Sequence, residues 1–154
     1  MSSNALRSGR VSQINREYFI TFNTSNKRPL FNNFTVASIF CQQIAINEHK
    51  HNCIWNTWVL MPDHFHGLLQ LGNNLEGNKT TLSNVIAALK GSTAQLINKQ
   101  LNTKGKVWQP SFYDHALRNE ENRANIARYI VANPLRKKIV DNIEDYPYWN
   151  SVFL

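Results

Sequence analysis

Two histidines separated by one residue, His64 and His66, are the side chains whose type and spacing most directly suggest chemistry. They follow the turn-forming pair Pro62-Asp63, which joins two apolar runs rich in aromatic and β-branched residues, and this pattern predicts a β-hairpin. Because side chains alternate along a strand, both imidazoles are expected on one face and Phe65 on the other. Two neutral imidazoles side by side supply half of a metal site, although such pairs also occur as polar residues near a sheet edge.

A tyrosine and an asparagine four residues apart, Tyr129 and Asn133, lie at the end of a predicted helix. We predict this helix over residues 120–132, because Asn119 is a good capping residue, acidic residues follow it and Pro134 ends the segment. The spacing places both side chains on one face. Beside the histidines, the amide oxygen and the imidazoles would hold Mg²⁺ or Mn²⁺ next to the phenol. Taken singly, the two residues fit better as a core tyrosine and a helix C-terminal residue.

The composition is that of a folded, basic protein, and we expect a single domain over residues 1–154. Hydrophobic residues make up 42% of the chain, which is typical of a folded rather than a disordered protein. Lys and Arg outnumber Asp and Glu by 17 to 10, and the net charge of +7 favours a polyanionic partner such as nucleic acid. A basic surface with no specific partner and binding to an anionic membrane surface are the alternatives. No long basic amphipathic helix that could serve membrane binding alone is evident, which argues against the membrane.

The sequence carries no signal that directs the chain to a membrane. A polar N-terminal leader of about ten residues lacks the apolar core of a signal peptide, and no apolar run is long enough to span a bilayer. Cys41 and Cys53 are isolated, as expected of reduced, partly buried thiols. We therefore expect a cytoplasmic protein with no membrane partner.

Strands and helices are mixed along the chain, which indicates an α+β fold. Outside the hairpin, the patterns predict strands at 18–24 and at the end of 107–118, and helices at 34–49 and 80–101. Thr35 is a candidate cap for the first of these helices. Gly91 lies in the middle of the second, where it suggests a close backbone approach or a kink.

Several side chains in these segments are candidates for contacts with nucleic acid. Lys90 and Ser92 would bind phosphate, although a solvated helix face explains them equally well. Trp108, Phe112 and Tyr113 would stack on unpaired bases. The same aromatic residues are as consistent with closure of the core.

Three separated motifs, taken in order, resemble one family. They are Pro-Asp-His-Phe-His at 62–66 after a Trp-containing strand, Trp-Gln at 108–109 before Phe-Tyr-Asp-His at 112–115, and Tyr-Ile-Val-Ala-Asn-Pro-Leu-Arg at 129–136. Residues 9–12 and 18–22 also fit, so the resemblance spans most of the chain. On these residues the chain resembles the REP-associated tyrosine transposases, a domesticated branch of the insertion sequence 200-like, single-tyrosine HUH transposases.

The resemblance implies a ferredoxin-like antiparallel β-sheet flanked by α-helices. It implies that His64 and His66 are metal ligands, that Asn133 is the polar third ligand of Mg²⁺ or Mn²⁺, and that Tyr129 is the nucleophile. The implied activity is metal-dependent cleavage and rejoining of hairpin-bearing single-stranded DNA through a 5′-phosphotyrosine, at REP-like palindromic repeats. It also implies a nucleoid-associated protein that acts as a monomer or a homodimer.

Further roles follow from the proposed chemistry and from the basic charge. His115 is a candidate for transfer of the tyrosine proton. Nine residues are predicted to contact DNA, namely Lys90, Ser92, Trp108, Arg118, Arg123, Arg128, Arg136, Lys137 and Lys138. The chain departs from the family pattern at Asp63, where asparagine is more usual, and at 137–138, where small residues are more usual. A non-catalytic module that binds single-stranded nucleic acid and a replication-type HUH nickase are the alternative functions.

Overall fold

The computed structural model describes residues 16–72 and 81–154. The predicted polar leader, the motif at residues 9–12 and the predicted loop at 73–80 therefore lie outside the described residues. Within residues 16–72 and 81–154, no helix combines the length and the hydropathy that a membrane-spanning segment needs.

One antiparallel sheet of five strands organises the described chain, in the order β4-β1-β3-β2-β5. The strands are β1 (Glu17–Asn23), β2 (Cys53–Met61), β3 (His64–Leu71), β4 (Tyr113–Ala116) and β5 (Trp149–Ser151). The four α-helices of the described residues are α1 (Phe34–His51), α2 (Leu82–Leu101), α3 (Arg123–Val131) and α4 (Asn133–Arg136). The succession β1-α1-β2-β3-α2-β4 is the ferredoxin-like split βαβ arrangement, and the predicted fold is confirmed.

The two faces of the sheet bury separate apolar clusters. The larger cluster joins the buried residues of β1 to α1 and α2, and it includes Tyr18, Ile20, Phe22, Phe40 and Leu89. The smaller cluster joins β2 and β3 to α3 and the C-terminal segment, and it includes Val59, Met61, Leu68, Ile130 and Tyr146. The strict alternation of buried residues in β1 separates the two clusters, so side chains at odd positions of β1 belong to the face that α3 covers.

Helices α1 and α2 pack against each other on the face of the sheet that carries the larger cluster. Asn33, and not Thr35 as predicted, caps α1, because its side-chain oxygen accepts the N–H of the residue three positions later at 3.2 Å. Thr81 caps α2 in the same way. The prediction of a kink or close approach at Gly91 is wrong, because the helix continues through it and a Cβ added there would have no neighbouring atom within 4 Å.

Helix α3 begins three residues later than the sequence predicted. Its cap is Asn122 rather than Asn119, and its first residue is Arg123. The reason is that the Glu121 side chain folds back and accepts a hydrogen bond from the backbone N–H of Arg118 at 2.9 Å. This segment therefore forms a non-helical turn before the helix begins. Pro134 does not end helical structure either, since it lies in the first turn of the short α4, where its missing N–H costs nothing.

The hairpin glycine Gly67 allows a close approach that the helix glycine does not need. A Cβ at Gly67 would lie 2.7 Å from two ring carbons of Trp55, whose indole donates to Asn47 Oδ1 at 2.9 Å. We expect Gly67→Ala to lower the free energy of unfolding by about 1–3 kcal/mol through overpacking. Gly91→Ala, the matched control in an exposed helix interior, should raise it by up to about 1 kcal/mol. Urea unfolding followed by circular dichroism measures both, and a shift of the same sign in both variants would contradict this interpretation.

Candidate active site

His64 and His66 open β3 on the face of the sheet that α3 covers. Their ring centroids are 4.6 Å apart and the rings are nearly perpendicular, at 79°. Phe65, between them, is fully buried in the cluster on the opposite face. The predicted hairpin, with Pro62 and Asp63 at its turn and both imidazoles on one face, is confirmed.

Each imidazole is held through its Nδ1 atom. His64 Nδ1 lies 2.6 Å from Asp63 Oδ1, and His66 Nδ1 lies 2.7 Å from Thr21 Oγ1 on the neighbouring strand. When the ring proton is on Nδ1, His64 donates to the carboxylate and His66 donates to the hydroxyl. This tautomer leaves the Nε2 lone pair of both rings for a ligand, which is how protein partners orient histidines in metal sites.

Burial keeps the His66 imidazole neutral. It lowers the pKa of His66 to about 3, and the nearby His64, Arg136 and Lys137 side chains add to this effect, while Asp63 opposes it. At neutral pH the ring is therefore unprotonated. A neutral imidazole with a free nitrogen is the form that binds a cation.

A cleft of about 680 Å³ brings the histidines together with the predicted tyrosine and asparagine. Tyr129 is on α3 and Asn133 begins α4, so the junction between these helices carries both residues to the cleft. Tyr129 is 59% exposed, which is unlike a core tyrosine, whereas Asn133 is 4% exposed. The side chains predicted for one site do line one cavity.

Positive charge is concentrated around the tyrosine. The Arg136 guanidinium carbon lies 4.0 Å from the centre of the Tyr129 ring, within cation–π range. Arg136 and Lys137 both line the cleft, whereas Lys138 follows them in an exposed left-handed turn with φ of 58°. Arg136 and Lys137 therefore favour an anionic group beside the phenol.

Sequence reasoning missed six residues that line the same cleft, including Pro29 and Ile139. Thr21 and Asn23 reach it from β1, Lys27 from the turn after β1, and Met61 from the end of β2. Thr21 pairs with His66 and Asn23 with His64 in the antiparallel register of β1 and β3. Only that long-range register would have identified the two polar residues, since no local motif marks them.

His115 lies apart from the metal-ligand candidates, in a neighbouring groove that also includes Tyr129. Its Nε2 atom is 3.0 Å from Glu121 Oε1, so the carboxylate fixes the ring. The Arg118 backbone N–H and then the His115 side chain hold the pKa of Glu121 below its usual value. The structure thus places His115 near the nucleophile candidate but in contact with a carboxylate.

The structure corrects the prediction that Trp108 stacks on DNA. Trp108 is 5% exposed, its ring stacks on Phe31 at 5.6 Å and its indole N–H donates to Thr93 Oγ1 at 3.0 Å. Phe22 packs edge-on against the same ring at 4.9 Å. Because the ring is enclosed in the larger cluster, Trp108 is a core residue and cannot stack on a base.

The other predicted contacts on α2 are also on the face away from the histidines. Lys90 Nζ donates to the carbonyl oxygens of Gln109 and Ser111, at 2.6 and 3.2 Å, and Ser92 Oγ donates to the Leu89 carbonyl oxygen. Lys90 also lies above the Phe22 ring of the larger cluster. The structure therefore does not bring Lys90 and Ser92 to the cleft.

Three predicted arginines lie on or near α3, with different environments. Arg123 is tied down, because its side chain pairs with Glu17 at 2.9 Å and also donates to backbone carbonyl oxygens. Arg118 and Arg128 are exposed, and Arg128 donates to Asn125 Oδ1 at 2.8 Å. Arg123 thus stabilises the segment between β4 and α3, while Arg118 and Arg128 lie at the surface.

A comparison with known protein families identifies the family of this chain. A family model described as "Transposase IS200 like" matches residues 12–133, a range that includes both histidines, Tyr129 and Asn133. This chain belongs to the IS200-like transposase family. The resemblance found in the sequence is thereby confirmed.

Curated relatives of this IS200-like chain agree with the family. An Escherichia coli K12 protein named REP-associated tyrosine transposase is 30% identical over 93 residues, which cover 60% of this chain and 51% of that protein. A Haemophilus influenzae protein provisionally given the same name is 33% identical over 98 residues, covering 58% of this chain and 53% of that protein. The chain thus matches about half the length of these curated relatives.

Solved structures share the fold of this IS200-like chain. A REP-associated tyrosine transposase bound to a REP hairpin superposes with a TM-score of 0.73 at 24% identity, covering 91% of this chain and 79% of that chain. A bacterial tRNA(His) guanylyltransferase-like protein in complex with GTP superposes with a TM-score of 0.55 at 10% identity, covering 94% and 76%. Such distant likenesses show a common α+β architecture, and function has to be argued from the site.

Proposed function

We propose that this IS200-like chain is a metal-dependent single-stranded DNA endonuclease and strand transferase with a tyrosine nucleophile. The observation that carries the proposal is the single cleft that holds an exposed tyrosine, two oriented imidazoles, a buried amide and three cations. Family membership supports the same reaction class.

The donor set fits a divalent cation. His64 and His66 would bind it through Nε2, since Nδ1 of each ring is engaged, and Asn133 would bind it through its amide oxygen. Two nitrogen ligands and one oxygen ligand, completed by water and phosphate, suit Mg²⁺ or Mn²⁺. When bound, the ion supplies positive charge that polarises the scissile phosphate and stabilises the charge developing on it.

Removing the hydroxyl that supports His66 should weaken the metal site without removing a ligand. We expect Thr21→Val to lower the affinity for Mn²⁺ by about 10- to 100-fold, because hydrogen-bond partners that orient ligating histidines have effects of this size. Titration calorimetry measures the affinity, and Thr35→Val on the exposed surface of α1 is the matched control. Equal affinities of the two variants would show that Thr21 does not orient a ligand.

The covalent step uses the phenol oxygen of Tyr129. Its lone pair attacks the scissile phosphorus in line, the bond from phosphorus to the 3′-oxygen breaks, and the 3′-oxygen leaves as a hydroxyl after gaining a proton. The downstream strand is then joined to Tyr129 through its 5′-phosphate. Attack by a 3′-hydroxyl on this phosphotyrosine reverses the step, so strands are rejoined without an external energy source.

The phenol needs help to lose its proton, since a free tyrosine has a pKa of about 10. The Arg136 guanidinium carbon lies 4.0 Å from the centre of the Tyr129 ring, which places positive charge beside the phenol. His115, in the adjoining groove, is the proposed proton carrier, and its Nε2 atom lies 3.0 Å from Glu121 Oε1. Arg136 lines the histidine cleft and His115 the adjoining groove, and Tyr129 lines both.

The proposed substrate is hairpin-bearing single-stranded DNA at REP-like palindromic repeats, within the nucleoid. A similar fold is known in a REP-associated tyrosine transposase bound to a REP hairpin. The net charge of +7 and the exposed cations Arg118, Arg128, Arg136, Lys137 and Lys138 support a polyanionic substrate. We propose that the chain acts as one domain, either as a monomer or as a homodimer.

A labelled-strand assay tests this function. Hairpin DNA carrying a 5′ label or a 3′ label is incubated with the protein and Mg²⁺ or EDTA, and the products are separated on a denaturing gel. We expect a metal-dependent protein adduct only with the 3′-labelled DNA, and a free 5′-labelled fragment. Binding without any adduct would favour the non-catalytic nucleic-acid-binding alternative, and an adduct only on origin sequences would favour the replication-type nickase.

A further inference from the structure

A second groove, of about 300 Å³, runs along α3 beside the cleft that holds His64 and His66. Aromatic rings from two strands form one wall, with Phe19 on β1 and Tyr113 on β4. Asn125 and Tyr129 line it from α3, on successive turns of the helix. The volume is at the lower end of the range for ligand pockets, roughly 300–1,000 Å³, so the groove suits one small planar group.

This groove and the histidine cleft are neighbours that share a residue. Tyr129 lines both of them. Phe19 connects them from the sheet, because its ring lies 5.8 Å from His66 and 6.5 Å from Tyr113, edge-on to the latter. A nucleotide with its phosphate at Tyr129 therefore has this groove within reach of its own base.

The chemistry of the groove matches a nucleobase. Tyr113 is 50% exposed although it lies in a strand, so the face of its ring is accessible for stacking. The His115–Glu121 pair supplies polar groups at the edge of the groove, where a base carries its hydrogen-bonding atoms. Arg128 reaches the rim through its bond to Asn125, which provides positive charge for the DNA backbone.

We propose that this groove seats the base of one nucleotide adjacent to the scissile phosphate, and that Tyr113 is the residue on which this base stacks. The inference rests on the proposed function, since it assumes that Tyr129 attacks a DNA phosphate. It adds a specificity-determining subsite, because a base held there fixes which phosphate faces the tyrosine. A flexible single strand would otherwise offer several equivalent phosphates to the nucleophile.

The test combines an abasic substrate with a substitution at Tyr113. Hairpin DNAs are prepared with an abasic site on the 5′ or the 3′ side of the cleaved phosphate, and adduct formation is timed. We expect one of the two abasic sites to slow the wild-type protein on the order of 10-fold or more, as loss of one base–aromatic stack predicts. Tyr113→Ala should be slowed similarly on intact DNA and should show no further loss on the abasic DNA.

Two further variants separate stacking from other roles of the residue. Tyr113→Phe keeps the ring and should retain the abasic effect and most of the rate. Phe34→Ala removes an aromatic ring that is 71% exposed on α1, outside the groove, and should behave as wild type. Melting temperatures show whether each variant is folded.

Two results would overturn the proposed base seat. Either abasic sites on both sides leave the wild-type rate unchanged, or the abasic penalty persists in full in Tyr113→Ala. In both cases an adduct still forms, so the proposed function survives. If no adduct forms on any DNA, the proposed function fails, and fluorescence anisotropy with an abasic scan along the single-stranded flank then decides whether Tyr113 contacts a base.

Discussion

Tyr129→Phe is expected to abolish the covalent protein–DNA adduct while leaving the affinity for hairpin DNA within about twofold. The substitution removes only the hydroxyl oxygen, which is the atom that forms the bond to phosphorus. The ring stays, and with it the contact to the Arg136 guanidinium at 4.0 Å. Adduct formation is measured on a denaturing gel and affinity on a native gel.

Tyr113→Phe is the matched control for this experiment. Tyr113 is also an exposed tyrosine, 50% against 59% for Tyr129, but it does not line the histidine cleft. Its phenylalanine variant should still form the adduct at most of the wild-type rate, because the ring is kept. A persistent adduct in Tyr129→Phe together with its loss in Tyr113→Phe would identify Tyr113 on β4 as the nucleophile instead.

Loss of either imidazole should have a comparably large effect. We expect His64→Ala and His66→Ala each to slow adduct formation by more than roughly 100-fold. Loss of a group that only orients a metal ligand costs up to about 100-fold, and each of these substitutions removes a ligand itself. Both variants should also bind Mn²⁺ more weakly in titration calorimetry. EDTA should reproduce the loss of activity in the wild-type protein.

His49→Ala controls for the loss of a histidine in general. His49 is exposed in the last turn of α1, on the opposite side of the sheet from the cleft. It should match wild type in Mn²⁺ affinity and in rate. A wild-type rate in His66→Ala, in a protein that remains folded, would exclude the imidazole pair as the metal site.

The hairpin and the orientation of its histidines could be predicted from the sequence because they depend on local geometry. Alternation along a strand has a fixed period, so His64 and His66 share a face wherever β3 is recognised as a strand. The shared position of Tyr129 and Asn133 follows from helical spacing in the same way. The actual break between α3 and α4 at Ala132 leaves both side chains in the cleft.

Features that depend on long-range register could not be predicted. The bond between Thr21 and His66 joins residues 45 positions apart, and nothing near either one indicates it. The prediction for Trp108 is wrong for a related reason, because an aromatic residue in a basic segment suits a base as well as a core. Its burial depends on rings from β1 and from the turn before α1, such as Phe22 and Phe31.

The central claim, that Tyr129 becomes joined to DNA, is tested most directly by mapping the adduct. The adduct formed with Mg²⁺ is digested with nuclease and trypsin, and the modified peptide is identified by mass spectrometry. Trypsin separates the two exposed tyrosines, since Tyr129 lies in the peptide 129–136 and Tyr113 in the peptide 107–118. We predict a nucleotide on the Tyr129 peptide alone, whereas a nucleotide on the 107–118 peptide, or on neither peptide, would contradict the assignment.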